Sequence, residues 1–147
     1  MAETLTHRPA TLDDVPLLAR MNQQLVEDED HPHRHKGSAW IERRMRGFLE
    51  SDYQAVVFEA ESQPVAYALF RDEAPDRIYL RQFFVVRHLR RRGVGRRAID
   101  ILKKHIWPPD KNITVGVLCH NQPGLAFWRA VGFRDHCLNL RMRPHER

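Results

Sequence analysis

The chain of 147 residues is 42% hydrophobic and 29% charged, a composition typical of a single soluble globular domain spanning 1–147. It contains no run of about 18 apolar residues, which argues against a membrane-spanning helix. The N-terminal residues lack an apolar core, so no secretion signal is predicted. Two cysteines, Cys119 and Cys137, are too few for a disulfide framework, and we expect reduced thiols in a cytoplasmic protein.

The net charge of +5 comes from one segment of the chain. Residues 87–97 contain six arginines and no acidic residue, and the rest of the chain has 18 basic and 19 acidic residues. A nucleic-acid binder needs a broad basic surface, whereas one dense cluster suits a single small anion. The charge distribution therefore favours a compact anion site and no nucleic-acid partner.

Hydrophobic periodicity predicts ten elements along the chain. Thr11 and the acidic residues after it suit a helix start, and Ser38 is the expected cap of a second helix. β-Rich runs bounded by polar or proline-containing turns predict strands. The expected elements are a strand at 5–9, helices at 11–27 and 38–49, strands at 53–60, 64–70 and 77–87, a helix at 93–107, a strand at 113–118, a helix at 121–131 and a strand at 133–142. This order favours a mixed sheet covered by helices.

The most informative stretch runs from a predicted strand through two glycines into a helix. Gly93 and Gly95 permit a tight turn, and the first N–H groups of a helix have no intrahelical partner. Such a positive helix end suits a phosphate or pyrophosphate. The alternative is a solvated arginine-rich turn without a ligand, because short glycine motifs are weakly specific. The P-loop pattern is absent, and Ala98 stands where a dinucleotide fingerprint has its third glycine.

Two motifs together resemble those of the GNAT acetyltransferase superfamily. Residues 90–95, Arg-Arg-Arg-Gly-Val-Gly, match its [Q/R]xxGx[G/A] signature at the end of the fourth strand. Residues 121–133 match its helix that begins with asparagine and ends in Gly-Phe. The resemblance covers roughly residues 3–143. It implies a mixed α/β (α+β) fold, with a mostly antiparallel sheet of six to seven strands flanked by four helices.

The resemblance implies an acetyl-CoA-dependent N-acetyltransferase without a metal. A primary amine of a small molecule or peptide would attack the thioester directly, and a backbone N–H of the fourth strand would stabilise the developing oxyanion. Homodimers are common in such families. The residues implied to bind the cofactor are Phe83, Phe84, Val85, Arg90, Arg91, Arg92, Gly93, Val94, Gly95, Arg96 and Asn121. Asn121 also has a simpler interpretation as a helix cap.

The proton-transfer residues depart from the family pattern. Trp128 occupies the position where many members have a tyrosine acid, and indole has no useful acidity. Arg81 and Gln82 stand where many members have carboxylates. We favour a thiolate that leaves without a dedicated acid. The candidate substitutes are Tyr79, Cys119 and His120.

The segment after the first helix is expected to shape the acceptor site. Glu27, Asp28 and Glu29 belong to four consecutive acidic residues that would attract a cationic amine, although a solvated helix end is the plainer interpretation. Arg81 would hold a substrate carboxylate if its side chain faces the cleft. His31, His33 and His35 alternate, but no distal ligand cluster accompanies them, so we predict no metal site.

Two alternative functions remain open at this point. One is a non-catalytic domain that binds or senses acetyl-CoA, motivated by Trp128 and Arg81. The other is a nucleic-acid-binding module that uses the arginine run and would bind with steep salt dependence. The motifs describe the cofactor and do not identify the acceptor.

Overall fold

The computed structural model describes residues 4–147, which contain five strands and four α-helices joined by turns and short 3₁₀ segments. A π-helical turn at Leu102–Ile106 extends the third helix. The elements are β1 (Leu5–Pro9), α1 (Val15–Asp28), α2 (Ser38–Leu49), β2 (Gln54–Ala60), β3 (Gln63–Ala74), β4 (Arg77–Val85), α3 (Val94–Ile101), β5 (Asn112–Val115) and α4 (Gln122–Ala130).

The strands form one sheet in the order β1-β2-β3-β4-β5. The first four are antiparallel neighbours, and β5 runs parallel to β4. Glu61 and Ser62, with φ of 51° and 64°, form the turn between β2 and β3. Two successive residues with positive φ give the turn a twist that matches the paired strands. The parallel step from β4 to β5 needs a crossover, which α3 provides.

Helices cover both faces of the sheet, and strand residues alternate between two cores. On one face, α1 and α2 pack on β3, with Leu18 and Tyr67 fully buried between them. On the other face, α3 packs on β4 through Ile99 and Leu80, which are also fully buried. Each of the three aliphatic side chains contributes about 1.5–3 kcal/mol when it leaves water, so these two layers stabilise the fold.

A β-bulge interrupts β4 at Arg81. Leu69 and Phe70 are adjacent on β3, yet they oppose Gln82 and Leu80, so Arg81 has no partner residue on β3. Even-numbered residues of β4 therefore face the α3 core before the bulge and the core under α1 and α2 after it. The bulge re-aims the second half of the strand.

The mixed α+β class with four helices is confirmed, but the strand count is smaller than the six to seven predicted. Among the described residues there are five strands, because 133–142 forms none and β5 ends before 118. Leu138, Leu140 and Met142 alternate as in a strand, yet they are 73%, 86% and 66% exposed. Alternation shows which side chains share one side of an extended chain, but it does not supply a neighbouring edge for pairing.

The helix starts also refine the sequence prediction. Gly37, not Ser38, is the N-cap of α2, and it offers no side-chain cap. Thr11 caps a 3₁₀ turn at Leu12–Asp14 in a capping box with Asp14, and α1 follows. In the part of the chain that the structure describes, no helix is long and apolar enough to cross a bilayer.

Candidate functional site

Strands β4 and β5 separate part-way along β4. They pair from Arg77 with Asn112 to Leu80 with Val115, whereas β4 continues to Val85. From 81 to 85, one edge of β4 thus has no strand beside it within residues 4–147. An open strand edge offers backbone donors and acceptors that an extended ligand can use.

The backbone at the start of α3 leaves N–H groups without partners in the helix. Gly93 is the N-cap in a left-handed conformation with φ of 81°, and Arg91 just before it has φ of 63°. The first i to i−4 bond runs from Arg97 N–H to the Gly93 carbonyl at 3.0 Å. The three N–H groups before Arg97 lie at the positive end of the helix, an arrangement that binds anions.

Gly95 lies directly against an aromatic ring of α4. A Cβ at this position would come within 2.9 Å of Phe127 Cε1. Phe127 stacks on Phe83 of β4 with ring centroids 5.9 Å apart, and Trp128 packs against both rings at 4.9 and 5.5 Å. Because Phe127 is held between these neighbours, the close approach of α3 and α4 requires glycine here. Trp128 has a packing role in this aromatic cluster.

Two arginines near the glycine turn bind acidic residues at the end of α1. Arg87 pairs with Asp28 at 2.9 Å and with Glu27 at 3.3 Å, and Arg90 pairs with Asp28 at 2.7 Å. Arg90 Nε also donates to the carbonyl oxygen of Val85 at 2.9 Å. The arginine cluster is therefore partly neutralised by the protein, and the carboxylates of Glu27 and Asp28 are occupied by these ion pairs.

Three arginines beside the turn lack an acidic partner within residues 4–147. Arg91 and Arg92 are exposed, and Arg96 donates from Nη2 to the carbonyl oxygen of Ala130 at 3.1 Å. Together with the open N–H groups of α3, these cations create a local positive potential. That potential suits a phosphorylated ligand better than an extended polyanion.

The start of α4 has its own cap. Asn121 Oδ1 accepts a hydrogen bond from Gly124 N–H at 3.1 Å. His120 Nε2 lies 2.8 Å from the carbonyl oxygen of Glu29, and Cys119 is exposed. Asn121 thus acts as a helix cap whatever else it binds.

Beyond the separation of β4 and β5 lies a cleft of about 900 Å³ between α1, α2 and the segment 137–142. Within the described residues, Glu29 is the one acidic side chain that lines it. Burial, and secondarily the charge of Asp28, raises the pKa of Glu29. A carboxyl group with a raised pKa is a stronger base when ionised, which suits proton transfer.

Arg81 lines this cleft together with Arg44 of α2. The guanidinium carbons of both lie near one ring, that of Phe48, at 4.9 Å for Arg81 and 5.1 Å for Arg44. Arg81 Nη1 donates to Tyr53 OH at 3.0 Å. Burial, followed by the charge of Arg81, lowers the pKa of Arg44.

His33 accepts a hydrogen bond from one arginine of this pair, Arg44. Its Nδ1 lies 2.8 Å from Arg44 Nη1. Burial, followed by the charge of Arg44, lowers the pKa of His33 to about 4, so the ring is neutral at pH 7. No group of three or more metal-ligating side chains occurs in the described part of the chain.

A buried hydrogen-bond chain leads to the same cleft. Asn22 Nδ2 donates to Tyr67 OH at 3.2 Å, and Tyr67 OH donates to Gln82 Oε1 at 3.0 Å. The three residues are 3%, 0% and 9% exposed. Since its Oε1 is occupied, Gln82 has its two N–H donors left for the cleft that it lines.

A family model for the acetyltransferase (GNAT) family matches residues 18–133. The chain belongs to the GNAT acetyltransferase family. Among curated proteins, no sequence matches this chain.

This GNAT domain shares its fold with solved structures of low sequence identity. An aminoglycoside N-acetyltransferase solved with CoA is 14% identical, with a TM-score of 0.75 over 97% of this chain and 96% of that one. A possible acetyltransferase from Clostridium difficile 630 is 15% identical, with a TM-score of 0.77 over 96% and 97%. A predicted acetyltransferase with acetyl-CoA from Clostridium acetobutylicum is 17% identical, with a TM-score of 0.75 over 98% and 99%.

The predicted site residues of this GNAT domain lie in two regions. Those expected to bind the cofactor lie on the open part of β4, around the glycine turn and at the start of α4. On the acceptor side, Glu29, Tyr79 and Arg81 line the cleft. His120 contacts the turn after α1, and Trp128 packs in the aromatic cluster.

Sequence reasoning missed Arg44 and the buried chain to Gln82. One signal for Arg44 was available, because it shares a helical phase with Trp40 and Phe48 on the apolar side of α2. No local signal marks Tyr67, which has the pattern of an ordinary core residue in a strand. Its hydroxyl acquires partners only when α1 and β4 pack on either side of it.

Proposed function

We propose that this protein transfers the acetyl group of acetyl-CoA to a primary amine of a small molecule or peptide. The carrying observation is the combination of open N–H groups at the start of α3 with an unpaired edge of β4 beside a cleft. A pyrophosphate joined to an extended amide-bearing arm has the chemistry that these two features bind. Family membership supports the proposal, and related folds were solved with CoA or acetyl-CoA.

The proposed cofactor residues divide by chemistry. The N–H groups from 91 to 96 would bind the pyrophosphate, and Arg91, Arg92 and Arg96 would add positive charge. The backbone of Phe83–Val85 would pair with the pantetheine arm. Arg90 would have to exchange its contact with Asp28 to take part.

Acetyl-CoA supplies an activated thioester carbonyl for direct attack by a neutral amine. A backbone N–H of β4 near the bulge would stabilise negative charge on the carbonyl oxygen. Glu29 would accept the proton of the substrate ammonium, directly or through water. Trp128 is packed among rings and supplies no acid, so we propose that the thiolate leaves unprotonated or takes a proton from water.

Calorimetry with acetyl-CoA tests the cofactor site. Gly93→Asp and Gly95→Asp each place a carboxylate at the anion site, and the second also crowds Phe127, so we expect affinity to fall at least about tenfold. Gly47→Asp, at an exposed glycine of α2 with open space around it, is the matched control and should bind normally. Thermal melts would show that each variant is folded. Unchanged binding in both loop variants would contradict the proposal.

A non-catalytic acetyl-CoA sensor is the second candidate, favoured by the packed position of Trp128. Measuring CoA thiol release across a panel of amines separates the two functions. Turnover of any amine supports the transferase. Tight acetyl-CoA binding without turnover across the panel supports the sensor.

A further inference from the structure

We propose that the acceptor amine also carries an oxyanion, which binds between Arg44 and Arg81 while the amine lies towards Glu29. This inference rests on the proposed acetyl transfer and adds the class of acceptor. It follows from the charges that line the cleft.

Arg44 and Arg81 differ from arginines such as Arg87 and Arg90, which form ion pairs with a carboxylate. Arg44 and Arg81 are both partly buried and lie on the same Phe48 ring, at 5.1 and 4.9 Å. In residues 4–147 neither forms an ion pair with a carboxylate; their hydrogen-bond partners are His33 and Tyr53. Two guanidinium groups held near each other without a counter-ion repel, and that repulsion is relieved when an anion binds.

The other titratable groups of the cleft leave positive charge on the side of the arginines and a carboxylate on the side of Glu29. Arg141 lines the same cleft, and burial with the neighbouring arginines lowers the pKa of His31 and His33. These histidines are thus neutral at pH 7 and leave the arginines as the cations. Glu29, on the α1 side, is the one carboxylate of the lining in the described chain and is not paired with either arginine.

The arrangement predicts a selectivity that differs from that of a polycation acetyltransferase. An acceptor with one amine and one carboxylate or phosphate matches Glu29 and the arginine pair at the same time. A polycation such as an aminoglycoside would bring further positive charge to Arg44 and Arg81. Similar folds include aminoglycoside acetyltransferases, but this cleft favours a zwitterionic acceptor.

Kinetic comparison of matched acceptors tests the class. Amino acids and dipeptides are compared with their C-terminal amides, O-phosphoethanolamine with ethanolamine, and both sets with spermidine, each at saturating acetyl-CoA. For the preferred oxyanion acceptor, whether it carries a carboxylate or a phosphate, we expect kcat/KM to be at least tenfold higher than for its neutral partner. Which form is preferred identifies the oxyanion. Equal kcat/KM values for the oxyanion acceptors and their neutral partners, or a preference for spermidine, would overturn the inference while leaving the acetyltransferase proposal intact.

Variants locate the preference within the cleft. Arg44→Gln and Arg81→Gln are each expected to lower kcat/KM for the oxyanion acceptor at least tenfold and to reduce the preference over its neutral partner. Acetyl-CoA affinity should not change. Arg43→Gln, an exposed neighbour on α2, is the matched control and should behave as the unmodified protein. Unaltered selectivity in both cleft variants would overturn the assignment of these arginines.

A binding measurement does not depend on turnover. Inorganic phosphate is titrated into protein labelled with ¹⁵N in arginine, and the Nε–H signals of Arg44 and Arg81 are assigned from the two variants. We expect both signals to shift in a saturable manner. If they do not move while acetyl-CoA still binds, the inference fails and the proposed function stands. If they shift but acetyl-CoA does not bind, the proposed function fails and the anion site stands.

Discussion

Glu29 is a half-buried carboxylate on the wall of the cleft, and its environment determines its chemistry. Burial raises its pKa, and the nearby Asp28 raises it further, while His120 and Arg90 act in the opposite direction. A raised pKa means that the folded protein favours the neutral carboxylic acid more than the unfolded chain does. Proton acceptance from a substrate requires the ionised form, so the proposed activity should rise as pH increases through this pKa.

We therefore predict that Glu29→Gln lowers kcat and removes the acidic limb of the kcat against pH profile. The effect of Glu29 on the stability of the fold has the opposite dependence on pH. A raised folded-state pKa contributes stability that is present below the unfolded pKa and is lost as pH rises through the folded one. At neutral pH, Glu29→Gln should leave the melting temperature unchanged or higher. An unchanged pH profile in a folded variant would exclude Glu29 as the base.

Four consecutive acidic residues, 27–30, look equivalent in the sequence, but the fold gives them different roles. Glu27 and Asp28 bind arginines, Asp30 pairs with Arg34, and Glu29 lines the cleft. Their composition predicts an acidic helix end. Which of them faces the cleft depends on where α1 stops and how the chain turns into 31–37, and a sequence of charges does not contain that information.

At the scale of elements, the start of α4 joins a structural role to a proposed binding role. Asn121 Oδ1 caps Gly124 N–H. We propose that the side-chain NH₂ group of Asn121, which the cap leaves unused, contacts the pantetheine arm of the cofactor. Capping and binding therefore use different atoms of one side chain. A variant that removes the whole amide and a variant that replaces only its NH₂ group can separate the two roles.

Asn121→Ala should lower the free energy of unfolding by about 1 kcal/mol, because the cap hydrogen bond is lost. Asn121→Asp keeps the accepting oxygen and should retain most of that stability. Denaturant unfolding measures the first effect, and calorimetry with acetyl-CoA measures the second. Weaker binding in Asn121→Asp at full stability supports a contact with the cofactor, whereas normal binding would leave only the cap.

The elements that were predicted best have strong local signals. The glycines at 93 and 95 and the apolar periodicity after them indicate α3, and the polar residues between two β-rich runs indicate the β2–β3 turn. The strand expected at 133–142 was wrong, since this segment pairs with none of the five strands, and alternation alone does not provide backbone hydrogen bonds to a neighbour. The same limit applies to the bulge at Arg81, which exists only as a mismatch between two strands.

At the scale of the whole molecule, Tyr67 of β3 connects three elements of the fold. Its hydroxyl links Asn22 of α1 to Gln82 of β4 on the face of the sheet that α1 covers. Burial raises its pKa far enough that it remains a neutral donor. The chain of bonds thus fixes both the position of α1 and the orientation of a side chain in the cleft.

Tyr67→Phe should destabilise the protein by about 1–3 kcal/mol, because Asn22 and Gln82 lose a buried partner. Tyr53→Phe removes a less buried hydroxyl, that of the Arg81 contact, and should cost about 1 kcal/mol or less. Urea unfolding compares the two variants. Equal effects would show that the buried chain contributes no more than the partly buried bond between Tyr53 and Arg81.

The fold class and the position of the glycine turn could be predicted from local patterns and from resemblance. The cleft could not, because Glu29, Arg44 and Gln82 come from three elements that meet only in the packed sheet. The arginines of residues 87–97 also divide into two groups. Arg87 and Arg90 bind an acidic residue of α1, whereas Arg96 remains beside the start of α3. Charge counting locates such a cluster but does not apportion its partners.

The bulge at Arg81 makes the number of residues in β4 as important as their identity. Upstream of it, even positions lie under α3; downstream, even positions lie under α1 and α2. Deleting Arg81 would leave a regular strand in which Phe83 and Phe84 keep the faces that they have now, whereas straightening the bulge without a deletion would turn Phe83 towards the helices that Phe84 now faces. Substitutions in β4 alter one side chain at a time, whereas a one-residue insertion between the bulge and Val85 would exchange the two faces of the sheet for every residue of β4 after it.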